Sequence, residues 1–409
     1  MGETEPGVMH LPLAGTRILT LEQYGAGPYG TMFLAQLGAE VIKIEPPKGG
    51  DSSRGTGPFF LGEDDSLFYQ SFNLNKRSLT LDLKSAAGQD ILHRLVRTAD
   101  AMTNNSRGDQ PAVLGLDYAA LGPVNPAIVC VHASAYGRDT AVYGGANPRA
   151  AWPGYDYLMQ AEAGFLSVTG EPDAPPTRFG LSMVDFITGT MLATATLAGI
   201  LDARGTGKGR DLDISLLDAA LHQTSYPALW YLNAGHDIGR TALSAHPSVV
   251  PSQLLKTADG WVFVMAQLPK FWARFADELG LAHLKDDPRF RSTPDRFAHR
   301  DALIPLIEAV TVTQLTAHWV AHLGGKVPVA AVNDLGQALD SPWMAANGMV
   351  TSADHSHGPL RVLANPILVD GERLPTRAAP ALGVDTAELL AEIGIGAAEA
   401  AKLKAAGTI

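Results

Sequence analysis

The order of apolar and polar segments predicts a parallel α/β sheet in the first part of the chain. The run "TRILTLEQ" at 16–23 has the pattern of a buried strand, "PYGTMFLAQLG" predicts a helix ending near Gly38, and "AEVIKIEPP" predicts a second strand. Pro46 and Pro47 end that strand, because proline has no N–H for a sheet ladder. Strand, glycine turn, helix and strand together form a βαβ unit, which favours a parallel sheet.

Similar patterns continue along the chain. They predict a helix over "AAGQDILHRLVRTAD", strands over "AMTNN" and "AIVCVHASAYG", a long helix from Asp185 to about Arg204, a strand and helix over "DLDISLLDAALH", and a hairpin over "VVPSQLLKTADGWVFVMAQ". Helices follow to about residue 323, then a strand and helix over "VPVAAVNDLGQAL" and strands in a late sheet over "PLRVLANPILVDGE". At 409 residues the chain exceeds one ordinary core. We therefore expect an α/β fold with a large α/β domain (1–205), a linker (206–225), a small α+β domain (226–325) and a return to the large domain (326–409).

Composition and charge narrow the classes of function. The chain is 46% hydrophobic, as in globular proteins, and carries a formal net charge of −11. That charge disfavours nucleic acid or an anionic membrane as the main partner, but a local basic pocket still allows an anionic small molecule. Cys130 is the single cysteine, so no intramolecular disulfide forms, and no metal-ligand spacing is seen. The N-terminus lacks a signal-peptide pattern and charges interrupt the apolar runs, so we expect a cytoplasmic protein without a membrane span.

The glycine turn after the first predicted strand has three interpretations. Gly25, Gly27 and Gly30 satisfy G-x-G-x-x-G, and Glu45 follows about 20 residues on, as a ribose-binding acid does in an NAD site. This pattern is typical of an NAD-dependent oxidoreductase. The glycines also suit a tight turn with close helix packing. Finally, the free N–H groups at the start of a helix suit another anion or an oxyanion.

The stretch "LSMVDFITGTMLATATLAG" at 181–199 places one carboxylate, Asp185, among apolar and small residues. By itself this position suits a helix N-cap, a role that aspartate favours. A carboxylate that reacts with a substrate has the same signature.

Several stretches, in order along nearly the whole chain, resemble the class III CoA-transferases, the CaiB/BaiF family that includes formyl-CoA transferase and carnitine CoA-transferase. They are "GAGPYGTMFLAQLGAEVIKIEPPKGGDSSRG", "DSLFYQSFNLNKRSLTLDLKSAAGQDIL" with Asn73, Asn75, Lys76 and Arg77, "PGYDYLMQAEAGFLSVTG", "MVDFITG", "GTGKGRDLDISLLDAAL", "AHPSVVPSQLLKTADGWV" and "ALGVDTAELLAEIGIG". The resemblance implies a Rossmann-like large domain, a smaller domain and a homodimer of two interlocked chains.

The resemblance also implies the site residues. Asp185 matches the covalent nucleophile of the family, and the Gly25–Ala26 turn would supply backbone N–H groups to an oxyanion. Family members often have a polar side chain at the place of Gly25, so only main-chain donors remain here. The positions that match or adjoin the CoA nucleotide are Leu81, Lys84, Asn105 and Arg107. A second arginine that the family commonly has a turn later is replaced around Val113.

Tyr155 and Asp156 bear on a finer choice within the superfamily. The α-methylacyl-CoA racemases usually have histidine followed by aspartate here, and that histidine is a base. Tyr155, with an ordinary pKa of about 10, is a poor base near neutrality but could pack on the pantetheine arm of CoA. Asp156 would orient substrate, support Asp185, or only form a local hydrogen bond. His246, in "SAHPSVVP", borders the substrate or has a structural role.

We therefore expect an enzyme that moves coenzyme A from an acyl-CoA donor to a carboxylic acid through an aspartyl-CoA thioester. By analogy, the donor is succinyl-CoA or another dicarboxylyl-CoA, and no metal takes part. The alternatives are a racemase of the same superfamily, an NAD-dependent oxidoreductase and a non-enzymatic acyl-CoA-binding protein.

Overall fold

A computed structural model of the chain describes residues 9–409. Residues 1–8, which make up most of the N-terminal segment in which no signal-peptide pattern was found, lie outside the described residues. The fold divides into two compact units. The first consists of the chain up to Ala163 with Phe179–Ser225 and Trp343–Ile409, and the second of Gly164–Arg178 with Tyr226–Pro342.

A six-stranded parallel sheet is the centre of the first unit. Its strands are β1 (Arg17–Leu21), β2 (Glu40–Glu45), β3 (Arg77–Thr80), β4 (Ala101–Asn104), β5 (Val129–Ser134) and β6 (Asp211–Ser215). They lie in the order β3-β2-β1-β4-β5-β6, with Ile18 of β1 opposite Val41 and Ala101. In such a sheet the chain reverses its direction of winding at β1, so a crevice opens beyond the carboxyl ends of β1 and β4.

Helices cover both faces of this sheet. The main ones are α1 (Ala26–Gln36), α2 (Leu67–Asn73), α3 (Ala86–Val96), α4 (Asp156–Glu162), α5 (Met183–Thr206) and α6 (Leu216–Gln223), with C-terminal helices at Thr386–Glu392 and Ala397–Ala405. Successive strand residues point to opposite faces. Ile18 accordingly belongs to the core under α1 and α5, whereas Leu19 belongs to the core under α3 and the C-terminal helices.

Shorter elements complete the first unit. They are helices at Gln110–Val113, Tyr118–Leu121 and Pro342–Asn347, 3₁₀ turns at Ser52–Gly55 and Ala141–Tyr143, and strand pairs Phe60–Gly62 with Asp65–Ser66, Val350–Ala353 with Leu360–Leu363, and Leu368–Val369 with Glu372–Arg373.

An antiparallel three-stranded sheet organises the second unit, in the order Val329–Ala331, Trp261–Met265, Ser252–Lys256. Its helices are Phe165–Val168, Ser225–Ala234, Pro269–Glu278, Thr293–Ala298, Arg300–Thr311, Thr316–Leu323 and Leu335–Leu339, with 3₁₀ turns at Ala242–Ser244 and Ala282–Lys285. The core of this unit includes Val262, Trp272, Phe275 and Phe290.

The elements predicted from the sequence are largely present, but their grouping differs. The predicted hairpin forms, with its turn around Asp259. Residues 206–225 are not a linker, because they contain β6 and α6. The strand at Val329–Ala331 joins the sheet of the second unit, so the chain returns to the first unit at Trp343 instead of 326. The late strands form two separate pairs.

Among residues 9–409, α5 is long and apolar enough to cross a membrane, with a mean hydropathy of 1.5, and the bent pair Arg300–Thr311 and Thr316–Leu323 passes the same test jointly. The expectation that no apolar run has this length is therefore wrong for α5. This helix packs on the sheet through Leu192 and Ile200, as core helices do.

Candidate active site

Asp185 lies in the first turn of α5 but does not cap it. Ser182 occupies the N-cap position without a side-chain hydrogen bond. The capping partner comes from another helix, since Oδ2 of Asp156 accepts a hydrogen bond from the backbone N–H of Asp185 at 3.0 Å. The N-cap interpretation of Asp185 is therefore wrong. Within the described chain, no residue donates a hydrogen bond to the Asp185 carboxylate.

Three glycines allow α1 and the turn before it to approach α5 closely. A β-carbon on Gly30 would lie 2.2 Å from the carbonyl oxygen of Gly189, and one on Gly189 would lie 2.5 Å from that of Ala26. A β-carbon on Gly25 would lie 2.3 Å from Oδ2 of Asp185. With the backbone as it lies in this chain, a side chain at Gly30 or Gly189 would push the two helices apart, and one at Gly25 would displace the Asp185 carboxylate.

The surroundings of Gly27 and Glu45 do not fit the NAD interpretation. The space above Gly27 is filled by Asn105, whose Cγ would lie 2.9 Å from a β-carbon there. Glu45 is buried at 1% exposure, and its two carboxylate oxygens accept hydrogen bonds from Arg54 at 2.7 and 2.8 Å. An acid that binds a ribose hydroxyl must face the open crevice. Glu45 instead stabilises the interior.

The start of α1 offers free hydrogen-bond donors beside Asp185. The N–H groups of Gly25, Ala26 and Gly27 have no acceptor anywhere in residues 9–409. The first N–H groups of a helix point out of its N-terminus and carry partial positive charge. An anion or an oxyanion placed next to the Asp185 carboxylate would meet these donors.

A cavity of about 220 Å³ opens at this point, in the crevice at the carboxyl ends of the strands. Gln23, Asn105 and Ser134 line it from the ends of β1, β4 and β5, respectively. Its other lining residues include Tyr24, Gly25, Ala26, Arg107, Trp152, Tyr155 and Asp185. Six of the nine site residues predicted from the sequence therefore come together here: Gly25, Ala26, Asn105, Arg107, Tyr155 and Asp185.

The predicted CoA-binding residues divide into different environments. Leu81 is 2% exposed in the core under α3, so its side chain is not available to a ligand. Lys84 is exposed beyond β3 and does not line the cavity. Arg107 lines the cavity and pairs with Asp109 at 3.0 Å. Asn105 uses its amide on the backbone of Gln23, accepting from N–H at 2.9 Å and donating to C=O at 2.7 Å.

Tyr155 and Asp156 begin α4 and differ in exposure. Tyr155 is 61% exposed, lines the cavity and packs edge-on against the ring of Tyr24, with 6.3 Å between ring centroids. Asp156 is 4% exposed and lies behind the cavity wall. Burial, with the neighbouring negative charge of Asp156, raises the pKa of Asp185 to about 7.

Beneath the β1–α1 turn lies a buried network of charges that the sequence analysis missed. Lys76 donates to Glu22 at 2.7 Å and to the carbonyl of Pro28 in α1 at 2.9 Å. Lys43 donates to Asp51 at 2.8 Å, and Asp51 in turn accepts from the N–H of Tyr24 at 3.3 Å. Two features of the sequence could have indicated this network: Lys43 lies inside an apolar strand, and Glu22 directly follows another.

Burial sets the proton affinities of this network together with the charge pairs. Burial lowers the pKa of Lys76 to about 8, although the adjacent Glu22 opposes the change. Burial acts to raise the pKa of Glu22, but Lys76 and Lys43 bring it below its ordinary value. The network therefore holds the β1–α1 turn through paired charges: Lys76 bonds Glu22 and the carbonyl of Pro28, and Asp51 bonds the N–H of Tyr24.

His246 belongs to the second unit. Its ring stacks on Tyr226 with centroids 5.8 Å apart, and its carbonyl accepts a hydrogen bond from Arg300 at 2.6 Å. Burial and the nearby Arg300 lower the pKa of His246. Over the part of the chain that the structure describes, no group of three or more His, Cys, Asp or Glu side chains could hold a metal ion.

Known proteins are similar to this chain in sequence and in fold. The sequence pattern of CoA-transferase family III matches residues 13–386. The chain belongs to CoA-transferase family III. Within this family, the succinate–glutarate CoA-transferase of Agrobacterium fabrum is 32% identical over 93% of this chain and 96% of its own length. Human succinyl-CoA:glutarate CoA-transferase is 32% identical over 93% of this chain and 86% of its own length.

A solved structure agrees with this family assignment. The CaiB/BaiF family protein of Brucella suis is 30% identical, with a TM-score of 0.79 over 94% of this chain and 100% of its own. The CoA-transferase assignment made from the sequence is therefore confirmed. As a family III CoA-transferase, the protein is an enzyme whose substrates are CoA thioesters.

Proposed function

We propose that this CoA-transferase moves CoA from a dicarboxylyl-CoA, with succinyl-CoA as the first choice, to a free carboxylic acid, and that Asp185 is its covalent nucleophile. The observation that carries the proposal is the position of the Asp185 carboxylate against Gly25, beside the free N–H groups of α1. The names of the relatives support the choice of donor, since they specify succinate or succinyl-CoA together with glutarate.

The proposed reaction proceeds through two anhydrides. The Asp185 carboxylate attacks the thioester carbonyl, the C–S bond breaks, and CoA thiolate leaves a mixed anhydride. The thiolate then attacks the aspartyl carbonyl, which releases the donor acid as a carboxylate and leaves an aspartyl-CoA thioester. The acceptor carboxylate attacks the carbonyl of this thioester, the C–S bond breaks, and CoA thiolate leaves a second anhydride. CoA thiolate attacks the acceptor acyl carbon, which regenerates the Asp185 carboxylate without net transfer of protons or electrons.

Each attack generates an oxyanion that needs hydrogen-bond donors already in place. The N–H groups of Gly25 and Ala26 would serve, because they are unused and lie on the side of the cavity where Asp185 is. The Asp185 carboxylate is also largely buried, which raises its pKa, so little solvation has to be removed before it attacks.

The remaining predicted contacts are part of the proposal. Arg107, in the cavity wall, and Lys84, exposed beyond the carboxyl end of β3 and outside the cavity, are cations suited to the CoA phosphates, and the exposed ring of Tyr155 is suited to the pantetheine arm. With tyrosine at position 155, the two-base proton relay of a racemase has no second base near neutrality. We therefore expect no exchange of the α-proton when the wild-type enzyme is incubated with a chiral 2-methylacyl-CoA in heavy water.

We propose that the enzyme acts in the cytoplasm as an interlocked homodimer. The homodimer is supported by exposed apolar surface. The helix Ser225–Ala234 (SYPALWYLNA) has no buried residue, and Leu201 of α5 is 76% exposed. Sedimentation should give a dimer at micromolar concentration. A stable, active monomer would contradict the dimer.

The decisive experiment combines a substrate screen with trapping of the intermediate. Acyl-CoA donors, succinyl-CoA first, are incubated with candidate acids and the products identified by mass spectrometry. The enzyme is then incubated with donor alone, and the reaction is quenched and the protein digested. The peptide containing Asp185 is examined for bound CoA or, after treatment with hydroxylamine, for a hydroxamate. Asp185→Asn is the matched control and should show neither adduct nor transfer. A folded Asp185→Ala variant that keeps more than a few per cent of the activity would eliminate the covalent mechanism.

A further inference from the structure

Asp156 and Gln160, one turn apart on α4, form a buried hydrogen-bonded pair behind Asp185. Asp156 accepts from the N–H of Asp185 through Oδ2 at 3.0 Å and from Nε2 of Gln160 through Oδ1 at 2.6 Å. The same Nε2 donates to the carbonyl of Leu181 at 3.1 Å, and Oε1 of Gln160 accepts from the N–H of Phe179 at 2.9 Å. Gln160 is fully buried.

These contacts tie α4 to the segment that leads into α5. Both oxygens of Asp156 act as acceptors, so the site requires a carboxylate and not an amide. Gln160 in turn is oriented by the chain just before α5, which supplies one donor and one acceptor. The position of the first turn of α5, and with it the Asp185 side chain, therefore depends on this pair.

We propose that Asp156 is a positioning residue for Asp185: it holds the first turn of α5 through the Asp185 backbone and acts on the Asp185 carboxylate through its negative charge. This inference rests on the proposed function of Asp185 as the nucleophile. Gln160 keeps Asp156 in the orientation that both effects need.

Among the charged groups around Asp185, Asp156 is the anion that affects the pKa of Asp185. Tyr24, Tyr155 and Arg107 line the cavity, and Arg107 pairs with Asp109. Helix α6 packs on both α4 and α5, but its titratable residues, Asp218 and His222, are exposed to solvent. Asp156 is buried and raises the pKa of Asp185, as burial itself does. Neutralising it should let Asp185 ionise at lower pH.

The test compares three variants of the full-length enzyme, assayed with a donor and acceptor pair that the screen shows to be active. Asp156→Asn is isosteric but places an NH₂ group against that of Gln160. The double variant Asp156→Asn with Gln160→Glu restores a donor facing an acceptor between positions 156 and 160 and moves the charge one side chain away, but it leaves the carbonyl of Leu181 without its donor. Asp100→Asn is the matched control, since Asp100 also accepts a hydrogen bond from a backbone N–H, that of Arg17, at 2.9 Å, but at the amino ends of the strands, away from the cavity.

For Asp156→Asn we expect the acid limb of the pH–rate profile to move to lower pH and kcat to fall roughly 10- to 100-fold, as when a reacting group is misplaced. The double variant should recover part of kcat, because the pair between positions 156 and 160 is restored while the bond to Leu181 is not, and its acid limb should stay below that of the wild type. Asp100→Asn should leave both unchanged.

Two results would overturn the inference: an acid limb that does not move in either variant at position 156, or the same change in Asp100→Asn. If Asp156→Asn does not fold, the double variant decides by the same readouts. Labelling of Asp185 by donor thioester in the wild type is measured in parallel. Labelled Asp185 with an unmoved acid limb refutes only the role of Asp156, whereas unlabelled Asp185 refutes the proposed function.

Discussion

Gly25 and Asp185 are in direct contact, with no room for a methyl group between the backbone of one and the carboxylate of the other. A β-carbon on Gly25 would lie 2.3 Å from Oδ2 and 2.9 Å from Cγ of Asp185. The turn after β1 and the first turn of α5 thus meet at a single point. That point also holds the unused N–H groups of α1.

Gly25→Ala should abolish most of the activity without unfolding the protein. The new methyl group meets the end of a rotatable side chain, so Asp185 can turn away at little loss of stability, but it leaves its reactive position. We expect CoA transfer to fall by about 100-fold or more. The measurement is kcat together with the urea midpoint. Wild-type kcat in the variant would show that the contact does not position the carboxylate.

Gly189→Ala should affect stability instead. Its β-carbon would lie 2.5 Å from the carbonyl of Ala26 and 2.9 Å from the N–H nitrogen of Gly30, both backbone atoms that cannot turn aside. We expect a loss of about 1–3 kcal/mol in the free energy of unfolding. Gly205→Ala, in the same helix with open space around it, is the control. It should be neutral or stabilise by about 0.5–1 kcal/mol.

Asp185→Asn should stabilise the protein at high pH and much less at low pH. Burial and Asp156 raise the pKa of Asp185 from 3.8 to about 7 in the folded state. A raised carboxyl pKa means that the folded state binds the proton more tightly, so wild-type stability falls as pH rises from about 4 through 7. Asparagine does not ionise, so the advantage grows over this range, to roughly 4 kcal/mol at most. Urea unfolding at pH 5 and pH 8 measures it, and a pH-independent difference would contradict it.

Lys76→Met should strongly destabilise the first unit. It leaves Glu22 buried with one cation fewer and frees the carbonyl of Pro28. We expect a loss of about 3–5 kcal/mol. Lys48→Met, at an exposed lysine, should stay within about 0.5 kcal/mol of the wild type.

The double variant Lys76→Met with Glu22→Gln removes both charges of the pair. Its loss should be smaller than the sum of the two single losses, because no unpaired charge stays buried. Additive losses would mean that Lys76 and Glu22 act independently.

Asn105→Ala and Arg107→Ala should differ in kinetic effect, although the residues are close in sequence and line the same cavity. Asn105 bonds the backbone of Gln23 on both sides, so its loss frees the turn before Gly25 and should lower kcat. Arg107 is exposed, and its loss should raise KM for the acyl-CoA with little change in kcat. Initial rates at varied acyl-CoA measure both. Equal effects on KM would assign both residues to CoA binding.

Local pattern was sufficient for five of the six strands of the parallel sheet, all but β3, and for helices α1, α3, α5 and α6, but it did not predict α2 or α4. "TRILTLEQ" predicted a buried strand, and in the structure Ile18 and Leu19 of that strand enter different cores because successive strand side chains point to opposite faces. The lone carboxylate in an apolar helix start likewise identified Asp185 as unusual. The ordered series of family motifs identified the CoA-transferase family.

Domain boundaries and the exposure of single residues did not follow from local pattern. Leu81 matched a position near the CoA nucleotide, yet its side chain is in the core. The glycines at the start of residues 206–225 suggested a linker. The strand β6 in this segment instead pairs with β5, which lies about 80 residues earlier in the chain, and local pattern does not show such a pairing.

The sequence by itself determined most of the strands and helices of the first unit and which carboxylate stands out. Those properties depend on the spacing of neighbouring residues, which a single chain displays directly. Only the tertiary structure decided that Asp156 caps the turn of Asp185, that Gly25 touches its carboxylate and that Lys76 pairs with Glu22. Such contacts depend on the order of strands in the sheet and on how closely two helices cross, and both are set by the packing of segments distant in sequence.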